Sequence, residues 1–518
     1  MRVSKSLVAV EILISCRIVH SAFWYPDPLY SSLETILVQT HGAFASGFAN
    51  AITPCSNYVS GNQTLGRETA SQWLRVAFHD YVTANVSAGT GGIDASIGFE
   101  TLREENSGAA FNDSFGFFAP YVNTQISMAD LVALSVVVSV GNCEGPQIPY
   151  RGGRIDATGP GTSGVPAPDT DLPTTLGFFA RSGFNQVDAI KLTACGHTIG
   201  SVHHAGFPTV VPASAVSPNN TGGGIHLDTT PYAFDDQVVQ EYVSSTGQMG
   251  GPLVTSFNVS SRSDLRLYES DGNTTMLELA SQGAGFVDTC VGLLQRMTET
   301  VPKGVTLSNV IKPLGVKPIN GSLDLDARGN LKFSGVIRVL HLTGTNAPTS
   351  LSLSYSKSAK SVILKPSAET GTSVFGTLSF YSFAVALQDP ESFDTFTISG
   401  SDIESHTFKT QAKMFIVPSL TFTTSTTSST TINVAVAALK STRGFNEPSI
   451  YVVVSAPVPQ QGTLAPKIQN WKVTMTNSKS VGKYNISKGS VNLETIVTGA
   501  VTVDIAAGGQ LLDKYVIG

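Results

Sequence analysis

Apolar residues recur three and four positions apart in three stretches of the first three hundred residues. These are SQWLRVAFHDYV (71–82), SMADLVALSVVVSV (127–140) and GFVDTCVGLLQRMTETV (285–301). That spacing predicts helices, and Pro302 just beyond the third stretch marks its end. The apolar run Val132–Val140 is short enough to be a buried core helix. Long loops rich in Gly, Pro and Asn separate these segments, Gly152–Pro173 among them. After Pro302 the period changes from that of a helix to strict alternation. LKFSGVIRVLHL, TSLSLSYS, SVFGTLSFYSFAVAL, TINVAVAAL and PSIYVVVSA predict short strands divided by turn residues. About 215 residues of this kind suit two β-sandwich units. The expected class is a mainly α domain followed by an all-β, sandwich-type C-terminal region. The expected divisions are a leader at 1–22, a helical domain at 23–302, and β-rich domains at 303–411 and 412–518. TFTTSTTSSTT (421–431) reads as an exposed strand or as an O-glycosylated linker.

Composition narrows the functional classes. Hydrophobic residues make up 41% of the 518 and charged residues 14%, so a disordered chain is not expected. A net charge of −6 argues against a nucleic-acid partner, which calls for a basic footprint. No run of about 18 uncharged apolar residues appears, so no membrane span is expected. Arg2 and Lys5, the apolar stretch after them and the small pair Ser21-Ala22 read as a secretory leader cut before Phe23. Glu11 and Arg17 interrupt it, and the alternative is an amphipathic helix that stays attached. Sequons at Asn62, Asn85, Asn112, Asn219, Asn258, Asn273, Asn320 and Asn485 fit an extracellular glycoprotein. Cys55, Cys143, Cys195 and Cys290 follow the leader, an even number that suggests two disulfides in any of three connectivities, or four buried thiols.

Two segments carry candidate chemistry. In Arg75-Val-Ala-Phe78-His79-Asp80, Arg75 and His79 lie four apart and share a helical face. A fixed cation beside an imidazole lowers its pKa, and the pair suits moving a proton while stabilising a developing oxyanion. In Cys195-Gly196-His197-Thr198-Ile-Gly200, a histidine after a glycine at a helix end suits a metal ligand.

Arg-x-x-Phe-His-Asp followed about 120 residues later by Gly-His-Thr resembles the distal and proximal signatures of the plant, fungal and bacterial haem peroxidase superfamily. Further segments match in order: Gly91-Gly92-Ile-Asp94-Ala-Ser96, Asn106-Ser-Gly108, Ser127 to Cys143, Gly153-Arg154-Ile-Asp156, Asp228-Thr-Thr230-Pro-Tyr-Ala233-Phe-Asp235 and Leu267-Tyr-Glu-Ser270-Asp271. The match spans about 70–298, and the secreted fungal branch is the most similar. The resemblance implies haem b, hydrogen peroxide as oxidant and a small phenolic or dye-like reductant. It implies His197 as axial ligand with Asp271 accepting its Nδ1–H, His79 and Arg75 as distal proton carrier and charge, Asn106 as the acceptor that fixes the His79 tautomer, and Phe78 packing over the haem. It also implies two calcium ions. The distal one would take Asp80, the Gly92 carbonyl, Asp94 and Ser96; the proximal one Thr198, Asp228, Thr230, the Ala233 carbonyl and Asp235. Cys55–Cys143 is the pairing the resemblance implies, and with it Cys195–Cys290, a free Cys195 beside His197 being the alternative.

The chain also departs from that branch. Four cysteines are fewer than is usual there. The positions that match a manganese site hold Glu68, Gln72 and His203, only one of them acidic. The tryptophans are Trp24, Trp73 and Trp471, none of them a few residues past His197 where a radical-bearing one is usual. Manganese oxidation and a ligninase-type radical are therefore not expected. Tyr355, Tyr381, Tyr451 and Trp471 are read as strand core, and the β-rich region as a module that binds cell wall or a second copy. The alternative reading is a degenerate peroxidase scaffold carrying that module. Neither Gly-x-Ser-x-Gly nor His-Glu-x-x-His occurs, which sets aside a serine hydrolase or zinc protease.

Overall fold

Four of the α-helices among the described residues, Pro28–Val38, Met128–Asn142, Leu172–Arg181 and Gln186–Gly196, start on a short polar side chain that caps them. Asp27 accepts from the Tyr30 amide with Pro28 at the first helical position, Ser127 accepts from the Asp130 amide, and Asn185 and Asp188 form a reciprocal capping box. The computed structural model describes residues 25–60, 67–355, 361–387, 390, 393–425, 429–440, 450–507 and 510–517. The expected leader and the Asn62 sequon lie outside them.

The helices are α1 (Pro28–Val38), α2 (Thr69–Tyr81), α3 (Ala110–Phe118), α4 (Met128–Asn142), α5 (Leu172–Arg181), α6 (Gln186–Gly196), α7 (Gln237–Ser244), α8 (Pro252–Thr255), α9 (Ser263–Tyr268), α10 (Thr274–Gln282) and α11 (Phe286–Glu299). The apolar α4 is buried from Met128 to Val140, with α2, α3 and α11 packed against it. No helix among the described residues is long and apolar enough to cross a membrane. Two disulfides close the domain, Cys55–Cys143 and Cys195–Cys290, so Cys195 is not a free thiol. Each crosslinks a long loop of the unfolded chain, 88 and 95 residues apart, a device worth roughly 2–4 kcal/mol.

Among the described residues, the β-rich region holds four antiparallel sheets. One runs in the order His41–Gly42, Thr370–Ser373, Gly376–Leu387, Leu331–His341, Val316–Leu325. It faces a sheet of Ile403–Lys409, Thr395–Gly400, Leu351–Tyr355 and Ser361–Leu364 across a core that includes Phe333 against Phe396 at 5.0 Å. The second pair sets Met414–Ile416, Thr430–Leu439, Tyr484–Leu493 and Thr476–Val481 against Lys467–Thr474, Tyr451–Val458, Val501–Ala507 and Gln510–Ile517. Phe422–Ser425 pairs with Thr430–Leu439, so the threonine-rich stretch forms paired strands where it is described. Tyr381 is fully buried and donates to the Pro348 carbonyl, in keeping with strand core.

Helical and β-rich parts interlock. His41–Gly42 adds an edge strand to the first sheet. Glu34 of α1 is buried against Lys317 at 2.7 Å and Arg338 at 2.6 Å, two residues of that sheet. Burial alone would raise the Glu34 carboxyl, but the two cations hold it down at about 2.

Candidate active site

Helix α2 delivers Arg75, Phe78, His79 and Asp80. His79 is 7% exposed, and its Nδ1 lies 2.7 Å from the Asn106 side-chain oxygen. Asn106 donates its own amide to the Glu100 carbonyl at 3.0 Å, so its oxygen is turned to the imidazole and Nδ1 carries the proton. Burial, then the Arg75 charge, push the His79 imidazole down to about 3 against the hydrogen bond it donates to Asn106. The ring is therefore neutral at ordinary pH, with Nε2 as a base. Arg75 donates to the Ser107 carbonyl at 2.9 Å and lies between the rings of Phe111 at 4.9 Å and Phe207 at 5.4 Å. Burial lowers its guanidinium to about 10, still charged. Phe78 packs beside Phe179 at 5.8 Å.

His197 caps the C-terminus of α6. Its Nδ1 lies 2.6 Å from Asp264, not from Asp271. This corrects the expected partner. Asp271 instead caps α10, accepting from the Thr275 amide at 3.0 Å and from its hydroxyl at 2.5 Å. In the segment that follows Arg262 the dipeptide Ser-Asp stands at both 263–264 and 270–271, and only the first copy lies in α9 facing the imidazole. The helical setting, Ser-Asp followed by Leu265-Arg-Leu267, was the signal available to choose between them. Burial alone would lower the His197 imidazole, but the Asp264 charge and hydrogen bond together outweigh it and raise it. His197 leaves 29% of its side chain accessible, with Nδ1 engaged by Asp264. Gly200, three residues on, sits at φ +96° against Ser71 of α2, where no Cβ fits. That contact holds the His197 segment to the helix that carries His79.

The two expected cation sets differ in fit. At the distal one, Asp80 is already satisfied by the amides of Asp94, Ala95 and Ile97 at 2.8–3.1 Å. Burial raises both Asp80 and Asp94, and each lies beside the other's charge. At the proximal one, Thr198 Oγ1 and one Asp228 oxygen are buried with no partner among the described residues. Thr230 donates to Asp235 at 3.0 Å, and burial pushes Asp228 up to about 7. Hard oxygen donors left unpaired beside a second carboxylate fit a calcium ion. The distal set fits less well, and no group of three His, Cys, Asp or Glu among the described residues is placed to hold a metal.

Glu68 is 3% exposed, and neither of its carboxylate oxygens has a partner among the described residues; burial pushes it up to about 7.

Known proteins similar to the chain bear on its helical part. The family model described as Peroxidase matches residues 56–282. A WSC domain-containing protein of Arthroderma benhamiae is 33% identical over 492 residues, covering 93% of this chain and 65% of that protein. L-ascorbate peroxidase 5, peroxisomal, of Arabidopsis thaliana is 34% identical over 139 residues, 26% of this chain and 50% of that one. A putative heme-binding peroxidase of Yarrowia lipolytica is 31% identical over 134 residues, 24% of this chain and 45% of that one. The chain thus spans between about half and two thirds of the length of these relatives. Its N-terminal helical part is a peroxidase-family domain, and a C-terminal region of antiparallel sheets is joined to it.

Proposed function

We propose that the chain is a secreted haem peroxidase that uses hydrogen peroxide to oxidise small phenolic or dye-like electron donors. One observation carries the reading: two histidines, His79 buried and His197 half-buried, each with Nδ1 held by a side-chain oxygen (Asn106 for His79, Asp264 for His197). Each is left with Nε2 for chemistry. Haem b supplies the redox-active iron when bound, and His197 Nε2 is the atom to hold it. Asp264 makes that imidazole more basic by accepting its Nδ1 proton, which favours the oxidised states of a ligated iron. His79 Nε2 takes a proton from one oxygen of peroxide and returns it to the other, which leaves as water. Arg75, on the same face of α2, supplies fixed positive charge to the departing oxygen. Asn106 positions His79, and Phe78 supplies apolar surface at the pocket. Calcium is proposed at Thr198, Asp228, Thr230, Ala233 and Asp235, with the Asp80, Gly92, Asp94 and Ser96 set as a second site.

The two disulfides support an extracellular setting. The β-rich region is read as two modules meeting at about 411, available to a wall polymer or a second copy. The similarity to an ascorbate peroxidase makes ascorbate the second donor to test. The deciding experiment is the absorption spectrum of the full chain loaded with haem, before and after one equivalent of peroxide. A band that shifts with peroxide and returns with a phenol supports the reading. Failure to take up haem, or a band indifferent to peroxide, points to a scaffold.

A further inference from the structure

The second β-sandwich touches the distal side of the site through one loop. Between Tyr451–Val458 and Lys467–Thr474 the chain passes over the short turn Ser96–Phe99. The Leu464 amide donates to the Gly98 carbonyl at 3.0 Å. Gly98 has no room for a side chain: a Cβ there would lie 2.8 Å from both Thr463 Oγ1 and the Phe115 ring. The loop is braced internally, Thr463 Oγ1 accepting from the Ala465 amide at 3.2 Å and Gln460 donating to the Ala465 carbonyl at 2.9 Å. Ala465 is 2% exposed and belongs to the core of the helical domain, with Ile468 packed against it.

The turn that this loop covers leads to His79 by two routes. Along the backbone, the Glu100 amide donates to the Ile97 carbonyl at 3.0 Å. The Glu100 carbonyl accepts from Asn106, and Asn106 accepts from His79. Through packing, Phe115 shares α3 with Phe111, whose ring lies 5.1 Å from His79 and 4.9 Å from the Arg75 guanidinium. Asp80 holds the turn from inside, through the amides of Ala95 and Ile97. Leu464 holds it from outside.

We infer that the Thr463–Ala465 loop of the second β-sandwich is a positioning element for the distal side, with the Leu464 amide clamping the Gly98 turn that orients Asn106 and, through it, His79. The inference rests on the peroxidase reading only for its kinetic consequence. The β-rich region then takes part in setting the site and is more than an attachment module.

Leu464→Pro removes the amide donor, and Leu464→Ala keeps it while trimming a side chain that is 38% exposed. Both are made in the full-length chain. In haem-free protein, hydrogen exchange over 96–106 is expected to rise in Leu464→Pro and stay at the wild-type level in Leu464→Ala. After haem loading, Leu464→Pro should slow the reaction with peroxide roughly tenfold or more, the scale expected when a catalytic group is misplaced. The reductant step should be unchanged, and Leu464→Ala should restore the rate. Wild-type exchange and peroxide rate in a folded Leu464→Pro, or equal damage from Leu464→Ala, would overturn the inference. If Leu464→Pro does not fold, Thr463→Val decides. It removes the acceptor for the Ala465 amide, and exchange over 96–106 that does not rise counts against the clamp. A wild type that ignores peroxide would defeat the peroxidase reading and leave the exchange result to stand alone.

Discussion

The Asp264 carboxylate accepts the Nδ1–H of His197 at 2.6 Å, while Asp271 caps the next helix. Two isosteric variants separate these roles. Asp264→Asn should weaken haem retention or the peroxide reaction roughly 10- to 100-fold, the usual cost of losing the partner of a ligating histidine. It should also raise the iron reduction potential. Asp271→Asn should change neither, and because Asn keeps an accepting oxygen at the start of α10, it should leave the melting temperature nearly unchanged. Haem titration with spectroelectrochemistry on the two variants checks the assignment.

Calcium should stabilise the wild type. A ligand that binds only the folded chain adds about 2.7 kcal/mol at a hundred times its dissociation constant. The unpartnered oxygens of Thr198 and Asp228 are where it should bind. Asp228→Asn should abolish most of the rise in Tm with added calcium. Because burial pushes the Asp228 carboxyl up to about 7 without a cation, protons should compete, and the calcium effect should weaken as pH falls below 7. Calorimetry with and without a chelator at two pH values measures this.

The junction between α1 and the first sheet should be acid-sensitive. Glu34 is held at about 2 against an ordinary value of 4.5. A depressed carboxyl contributes stability that is fully present above pH 4.5 and is lost as pH falls from there through about 2, on the order of 3 kcal/mol in all. Glu34→Gln should remove that dependence and destabilise at neutral pH, since Lys317 and Arg338 stay buried with no anion, a loss of about 3–5 kcal/mol. Urea titrations of both proteins across pH 2–6 test it.

Much of this was legible in the residues. Helical spacing marks α2, α4 and α11, alternation marks the strands after Pro302, and the Arg75–His79 spacing puts both side chains on one face. The misread partner of His197 was a register problem. Two Ser-Asp pairs seven residues apart carry the same local chemistry, and only the packing of α9 against α6 selects Asp264. The clamp from Leu464 to Gly98 joins residues 366 apart, and the Glu34–Arg338 pair joins residues 304 apart. Neither leaves a periodic signal, because one is a backbone bond in a loop and the other is a single buried charge. Gly200 was legible as a residue after the histidine, but its reason, contact with Ser71, lies in tertiary structure.

The central claim is that His79 is the neutral base that moves the peroxide proton. The direct measurement is the stopped-flow rate of peroxide with the haem-loaded chain, wild type and His79→Leu, from pH 7 down to pH 3. With the imidazole held at about 3, the wild-type rate should stay level through the weakly acidic range and fall only as pH approaches 3, where Nε2 takes up a proton. His79→Leu should keep its haem and react roughly 10²–10⁴ times more slowly, with no such acid limb. Equal rates for the two proteins would contradict the account.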